Sequence, residues 1–150
     1  MKLRELYLLL GTNLGDREAN LQTALAALDR AFKGRRLRMS EIMETEACGF
    51  SGPPFLNAVV VYESARRPER ILQICKRIER SMGRTDPPAY GPDGSRIYHD
   101  RIIDIDILLY GSLSLRTPEL TIPHPQVSTR PFVAPLLQQV LYAPGFFWTE

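Results

Sequence analysis

At 150 residues, with 44% hydrophobic and 24% charged side chains, the chain has the size and balance of one globular domain, residues 1–150, around a single core. A net charge of +2 is too small to argue for a nucleic-acid or membrane surface, and no apolar run approaches the roughly 20 residues of a bilayer span. Cys48 and Cys75 make no C-x-x-C pair, and Met1-Lys2-Leu3-Arg4-Glu5 lacks the apolar region of a signal peptide, so a reducing cytoplasm is the expected compartment.

Of the 19 basic residues 16 are Arg, the better bidentate phosphate ligand, a bias that suits phosphate chemistry and an ordinary solvated surface alike. Leu6 to Leu10 is a short apolar run closed by Gly11, the pattern of a central strand. Gly11-Thr12-Asn13-Leu14-Gly15-Asp16 has neither the Lys-Ser/Thr of a Walker A loop nor a Gly-x-Gly-x-x-Gly. It reads as a tight strand-to-helix turn with Asn13 as its candidate functional side chain. Leu21, Leu25, Leu28 and Phe32 step four, three and four, an amphipathic helix that Gly34 ends. Arg36 to Met43 is expected to form a second, more exposed strand, and Glu46 to Pro54, with Gly49, Gly52, Pro53 and Pro54, a long loop.

Phe55 to Tyr62 reads as a third strand with Asn57 inside it. An unpartnered buried amide costs about 1 to 3 kcal/mol, so Asn57 either satisfies backbone groups locally or reads the edge of a ligand. Pro68 starts a second helix, whose apolar face of Ile71, Cys75, Ile78 and Met82 makes Cys75 a core residue rather than a nucleophile. Gly83 ends it. From Arg84 to Tyr98 the chain holds Pro87, Pro88, Gly91, Pro92 and Gly94 and reads as a long structureless loop, of the kind that forms a lid, carrying Arg84 and Arg96.

Ile102 to Tyr110 is rich in β-branched residues and stops at Gly111, the composition of a buried strand. Alternation sends Asp104 and Asp106 to one face, about 6 to 7 Å apart, and Ile103, Ile105 and Ile107 to the other. Two adjacent carboxylates in an apolar strand repel each other and lose solvation, so a positive group is expected opposite them. A hard, oxygen-preferring Mg²⁺ with substrate phosphates suits that need, as do Arg side chains on a solvated face. Ser112 to Leu115 is read as a short return strand. In Leu120 to Pro125, His124 stands between two prolines with Arg130 six residues on, a candidate phosphate contact. Phe132 to Val140 reads as a last helix that Pro135 starts or interrupts, and Tyr142 to Trp148 as an aromatic tail that must pack down. The order of elements predicts an α+β, ferredoxin-like βαββαβ sandwich. Its antiparallel sheet would carry helices on one face, leave the face bearing the two Asp open, and end in a C-terminal helical addition.

Five pieces in this order resemble the 6-hydroxymethyl-7,8-dihydropterin pyrophosphokinase family from about Leu6 to Leu137. They are Gly11 to Asp16, Phe55-Leu56-Asn57-Ala58-Val59, Gly83-Arg84, Arg101 to Leu108, and Ile122-Pro123-His124-Pro125 followed by Arg130-Pro131-Phe132. The resemblance implies transfer of diphosphate from ATP to the pterin hydroxymethyl group, with release of AMP, in folate biosynthesis. It further implies two Mg²⁺ ions on Asp104 and Asp106, and ATP contacts from Glu79, Arg84, Arg101, Ile107, His124 and Arg130. The pterin would lie against Thr45, Cys48, Phe55, Asn57 and Phe132, with Asn13 nearby. Arg84, Arg96 and Arg101 are the expected catalytic cations. Family members carry an Arg-Trp-Gly-Pro-Arg run before the Asp pair; here Ile97-Tyr98-His99-Asp100-Arg101 stands in its place, so Arg96 is expected to serve as the cation of the flap. A monomer without nucleic-acid or membrane partners completes the expectation. The competing readings are a Mg²⁺-dependent nucleotidyl transferase on the same sheet and a non-catalytic ferredoxin-like binding module, the latter disfavoured by carboxylates where a nucleic-acid backbone would lie.

Overall fold

The computed structural model describes residues 2–47, 52–83, 89–90, 96–97 and 102–141, with 89–90 and 96–97 described by their backbone. Cys48, Arg84, Arg101, the Arg96 side chain and the aromatic tail therefore lie outside the described residues. In chain order the elements are β1 (Arg4–Thr12), α1 (Arg17–Ala31), β2 (Arg36–Met39), β3 (Met43–Thr45), β4 (Phe55–Ser64), α2 (Pro68–Ser81), β5 (Ala89–Tyr90), β6 (Arg96–Ile97), β7 (Asp104–Tyr110), β8 (Leu115–Arg116), β9 (Thr121–Ile122), α3 (Gln126–Thr129) and α4 (Val133–Leu141). The principal sheet runs β2-β4-β1-β7, with β3 also paired to β4, and its pairings are antiparallel.

Local chemistry sets the helix ends. Asp16 caps α1 by accepting from the Ala19 N–H at 3.1 Å. Gly34, at φ +73°, closes its far end with an N–H to the Asp29 carbonyl at 2.7 Å. Pro68 occupies the first turn of α2, where a missing N–H leaves no helical bond unmade.

β1 and β4 are apolar on both faces because both faces are covered. Leu6, Leu8, Leu10, Val60 and Tyr62 pack with Leu21, Leu25 and Leu28 of α1 and with Ile71, Cys75 and Ile78 of α2. Tyr7, Leu9, Val59 and Val61 pack with Val133, Leu136, Leu137 and Val140 of α4. Among the described residues the face expected to stay open is thus open at one end only. Pro135 sits in the first turn of α4, whose N–H groups have no intrahelical acceptor. At the other end of α4, Arg38 donates through Nε to the Val140 carbonyl at 2.7 Å and pairs with Glu5. That hydrogen bond holds the Glu5 carboxyl below its ordinary range.

Three further expectations change. The strand expected over Arg36 to Met43 is split at Ser40, whose hydroxyl accepts the Val59 N–H at 2.9 Å and so replaces a backbone carbonyl in the ladder. The expected return strand is displaced to Leu115–Arg116, which pairs with Thr121–Ile122. The stretch read as structureless contains a two-residue ribbon, Ala89–Tyr90 against Arg96–Ile97. The Asp-bearing strand is β7, and it lies at the edge of the sheet, paired only with β1 among the described strands.

Cys75 is 1% exposed, and burial, reinforced by the charges of Glu79 and Asp106, pushes its thiol well up from the ordinary value. A thiol reagent under mildly alkaline conditions is expected to leave Cys75 unmodified in the native protein and to modify it after unfolding in urea. Peptide mass mapping, which separates it from Cys48, checks this; rapid native labelling at Cys75 would contradict the packing.

Candidate active site

The site begins with a line across the sheet. Gly11 of β1 pairs with Asn57 of β4 on one side and with Asp104 of β7 on the other. Neighbouring residues on a rung point to the same face, so Asn57, the bare Gly11 backbone and Asp104 form one row. A Cβ at Gly11 would lie 3.4 Å from Asn57 Oδ1 and 3.7 Å from Phe55 Cδ1. Its absence leaves a slot walled by an amide carbonyl and an aromatic ring.

The orientation of the Asn57 amide follows from its bonds. Nδ2 donates to the Met43 carbonyl at 3.2 Å and to Thr45 Oγ1 at 2.8 Å. The Met43 carbonyl can only accept, so the NH₂ group faces β3 and Oδ1 faces the slot. Asn57 therefore satisfies the backbone locally with its donors and presents its acceptor over Gly11. Asn13, the residue that follows β1, is buried, and its Nδ2 donates to the Pro53 carbonyl at 3.0 Å. Arg17 donates to the Pro54 carbonyl at 2.9 Å and pairs with Glu44 at 2.7 Å, so the turn after β1 is tied to the segment leading into β4.

On β7, Asp104 and Asp106 are half-buried on the face they share with Leu108, while Ile103, Ile105 and Ile107 enter the core against α1 and α2. His124 is joined to β7 by its N–H to the Leu108 carbonyl at 2.9 Å, and its Nε2 stands 3.9 Å from Asp106 Oδ1. Its Nδ1 accepts the Gln126 backbone N–H at 3.1 Å, so the neutral ring carries its proton on Nε2, toward Asp106. Asp106 Oδ2 accepts from Gln126 Nε2 at 2.8 Å. Gln126 Oε1 in turn accepts from Arg130 Nη1 at 2.9 Å, and the Arg130 guanidinium lies 4.8 Å from the ring centre of the half-buried Phe132. Gln126 escaped the sequence reading. The signals available were its place two residues after His124 and four before Arg130 on a short helical turn.

Glu79 is 3% exposed, and its Oε2 accepts the Ile105 N–H at 2.8 Å on the outer edge of β7. Its other oxygen is 3.9 Å from Lys76 Nζ. A cavity of about 470 Å³ opens beside these groups, lined by Leu72, Ile107, Leu120, Thr121, Asp106 and His124 among others. The structure thus brings Asp106, His124, Ile107 and Arg130 to one neighbourhood and Asn57, Thr45, Phe55 and Asp104 to the adjoining one.

Among the described residues no three His, Cys, Asp or Glu side chains form a ready metal cage, and no helix is long and apolar enough to cross a membrane. Two same-facing carboxylates with hard oxygen donors fit Mg²⁺ of the kind that completes its shell with water and phosphate oxygens.

The strand and helix order, the antiparallel sheet and a carboxylate pair of which Asp106 lines a cavity define an α+β enzyme of the ferredoxin-like plan. The family model for 7,8-dihydro-6-hydroxymethylpterin-pyrophosphokinase matches residues 7–141, and the chain belongs to that family. It is 48% identical over 136 residues to the 2-amino-4-hydroxy-6-hydroxymethyldihydropteridine pyrophosphokinase of Porphyromonas gingivalis, covering 89% of this chain and 88% of that one. The protein of the same description from Bacillus subtilis is 35% identical over 134 residues, 88% of this chain and 75% of its own length. A mitochondrial folate synthesis bifunctional protein of Pisum sativum is 39% identical over 136 residues, 89% of this chain but 24% of that protein.

Removing the Glu79 acceptor should leave the buried Ile105 N–H unmatched. Glu79→Ala is expected to lose about 1 to 3 kcal/mol of stability, and Glu79→Gln, which keeps an acceptor, distinctly less. Urea unfolding of the two variants measures the difference; equal losses would remove the structural role of this bond.

Proposed function

We propose that residues 1–150 form one catalytic domain that transfers diphosphate from ATP to the hydroxymethyl group of 6-hydroxymethyl-7,8-dihydropterin, a step of folate biosynthesis. Family membership supports the reaction, and the row Asn57, Gly11, Asp104 carries its assignment to this site. Asn57 and Asp104 stand two strand spacings apart, about 10 Å, with no side chain between them. A flat bicyclic ring laid over Gly11 would then have one edge at an oriented acceptor and its hydroxymethyl arm at the carboxylates.

In this reading the Asn57 carbonyl accepts a ring N–H, Phe55 and Phe132 enclose the ring faces, and Thr45, Asn13 and Cys48 complete the surroundings. Leu72, Ile107 and Leu120 supply apolar contact for the adenine in the cavity beside β7. His124 Nε2–H and Arg130 face the phosphates, with Glu79 behind β7, and Arg84, Arg96 and Arg101 are the further cations. Asp104 and Asp106 are the ligands for two Mg²⁺ ions. Bound there, Mg²⁺ would neutralise phosphate charge and favour attack at phosphorus. The hydroxymethyl oxygen attacks the β-phosphorus, the bond from that phosphorus to the α,β-bridging oxygen breaks, AMP leaves and the hydroxyl proton is released. Such chemistry needs alignment and charge stabilisation more than a protein nucleophile. The protein acts as a cytoplasmic monomer without nucleic-acid partners.

The deciding experiment identifies the nucleotide product formed with Mg²⁺, ATP and the reduced pterin. AMP that appears only with the pterin is expected; ADP, or pyrophosphate in place of AMP, would overturn the proposal. Asp104→Ala should keep the native circular dichroism and lose at least about 10²- to 10³-fold in kcat.

Gly11→Ala tests the slot separately. A methyl group 3.4 Å from Asn57 Oδ1 is tolerated by the fold but occupies ligand space. The KM for the pterin is expected to rise about tenfold or more while that for ATP stays near wild type. An unchanged pterin KM would place the ring elsewhere.

A further inference from the structure

Gln126 is 2% exposed although its side chain is an uncharged amide at the edge of a polar site. One residue touches three groups there. Its Nε2 donates to Asp106 Oδ2 at 2.8 Å, its Oε1 accepts from Arg130 Nη1 at 2.9 Å, and its backbone N–H donates to His124 Nδ1 at 3.1 Å.

A primary amide carries a donor and an acceptor at the same end without formal charge. Glu at this position would set a third carboxylate against Asp106, Lys or Arg would confront Arg130, and Met would supply neither bond. The amide therefore links a carboxylate to a guanidinium while changing the charge of neither. Both partners are constrained at once. Asp106 cannot rotate about its carboxyl axis without breaking the bond at Oδ2, and Arg130 is held between Gln126 and the Phe132 face.

We propose that Gln126 is a positioning residue that orients the Asp106 carboxylate and the Arg130 guanidinium as one unit, so that the metal ligand and the phosphate-facing cation keep a fixed mutual geometry. The inference rests on the reading of Asp106 as a Mg²⁺ ligand and of Arg130 as a phosphate contact. It assigns Gln126 no contact with substrate.

The test compares Gln126→Met, of similar length without the two hydrogen bonds, with Gln126→Glu, which keeps an acceptor for Arg130 but loses the donor to Asp106. Outer-sphere partners of metal ligands typically contribute 10- to 100-fold, so both variants are expected to raise the half-saturating Mg²⁺ concentration about tenfold or more. Saturating Mg²⁺ should recover most of kcat. The KM for ATP should rise further in the Met variant than in the Glu variant, because only the former releases Arg130. Calorimetry with a nonhydrolysable ATP analogue supplies a readout free of turnover. In Gln126→Glu its affinity should fall about tenfold at limiting Mg²⁺ and return toward wild type when Mg²⁺ is saturating, while Gln126→Met keeps part of the loss because Arg130 stays released. A folded Gln126→Met protein with wild-type Mg²⁺ dependence and analogue affinity would overturn the proposal, as would a loss in Gln126→Glu that excess Mg²⁺ does not repair. If the Met variant does not fold, the Glu variant decides on the same criteria. A wild-type protein that binds the analogue equally well without Mg²⁺ would instead refute the metal reading itself.

Discussion

The register in which β1 pairs with β4 and β7 is the constraint on which the site depends. Side chains on a strand alternate faces, so a slip of one residue moves every group to the opposite side. β1 cannot set this register by polarity, because it is apolar on both faces. Its neighbours do. A slip of β7 would drive Asp104 and Asp106 into the layer of Ile and Leu beneath α1 and α2, and burying two uncompensated carboxylates costs several kcal/mol each. The residues proposed to perform the chemistry are therefore among those that specify the pairing.

The second face of the sheet is divided between packing and function by one helix. α4 covers Tyr7, Leu9, Val59, Val61 and Leu108, and Arg38 fixes its end at the Val140 carbonyl. Beyond it lie Asn57, Gly11 and Asp104, where a helix would meet polar groups it cannot satisfy. Arg130 and Phe132 fall on the segment that enters α4, so the packing of the helix also sets the border of the site.

Much of this was legible in local patterns. The alternation of β7 puts Asp104 and Asp106 on one face, the four-three-four spacing of α2 puts Cys75 in the core, and an amide inside the apolar run of β4 marks Asn57 as a residue with a purpose. What escaped depends on contacts between distant segments. The break at Ser40 exists because a hydroxyl finds the Val59 N–H nineteen residues away. The edge position of β7 is a property of strand order, which no single strand encodes. Gln126 looks like an ordinary polar residue until α3 folds back onto β7, twenty residues upstream of it.

The two sides of β7 are held by different means, and the difference has an electrostatic consequence. On the outer edge Glu79 takes the Ile105 N–H with a buried carboxylate; on the face of the Asp pair Gln126 takes Asp106 with a neutral amide. Neither bond brings a positive charge to the strand, and Glu79 adds a third carboxylate beside it. Cys75, whose thiol is pushed up chiefly by burial, is pushed further in the same direction by the charges of Glu79 and Asp106. Lys76, 3.9 Å from Glu79 and with a side chain about half exposed, offsets this only weakly. Glu79, Asp104 and Asp106 thus gather three carboxylates around one apolar strand. Local conflicts of this kind persist where a ligand relieves them, and a cation held by Asp104 and Asp106, as proposed above, would do so.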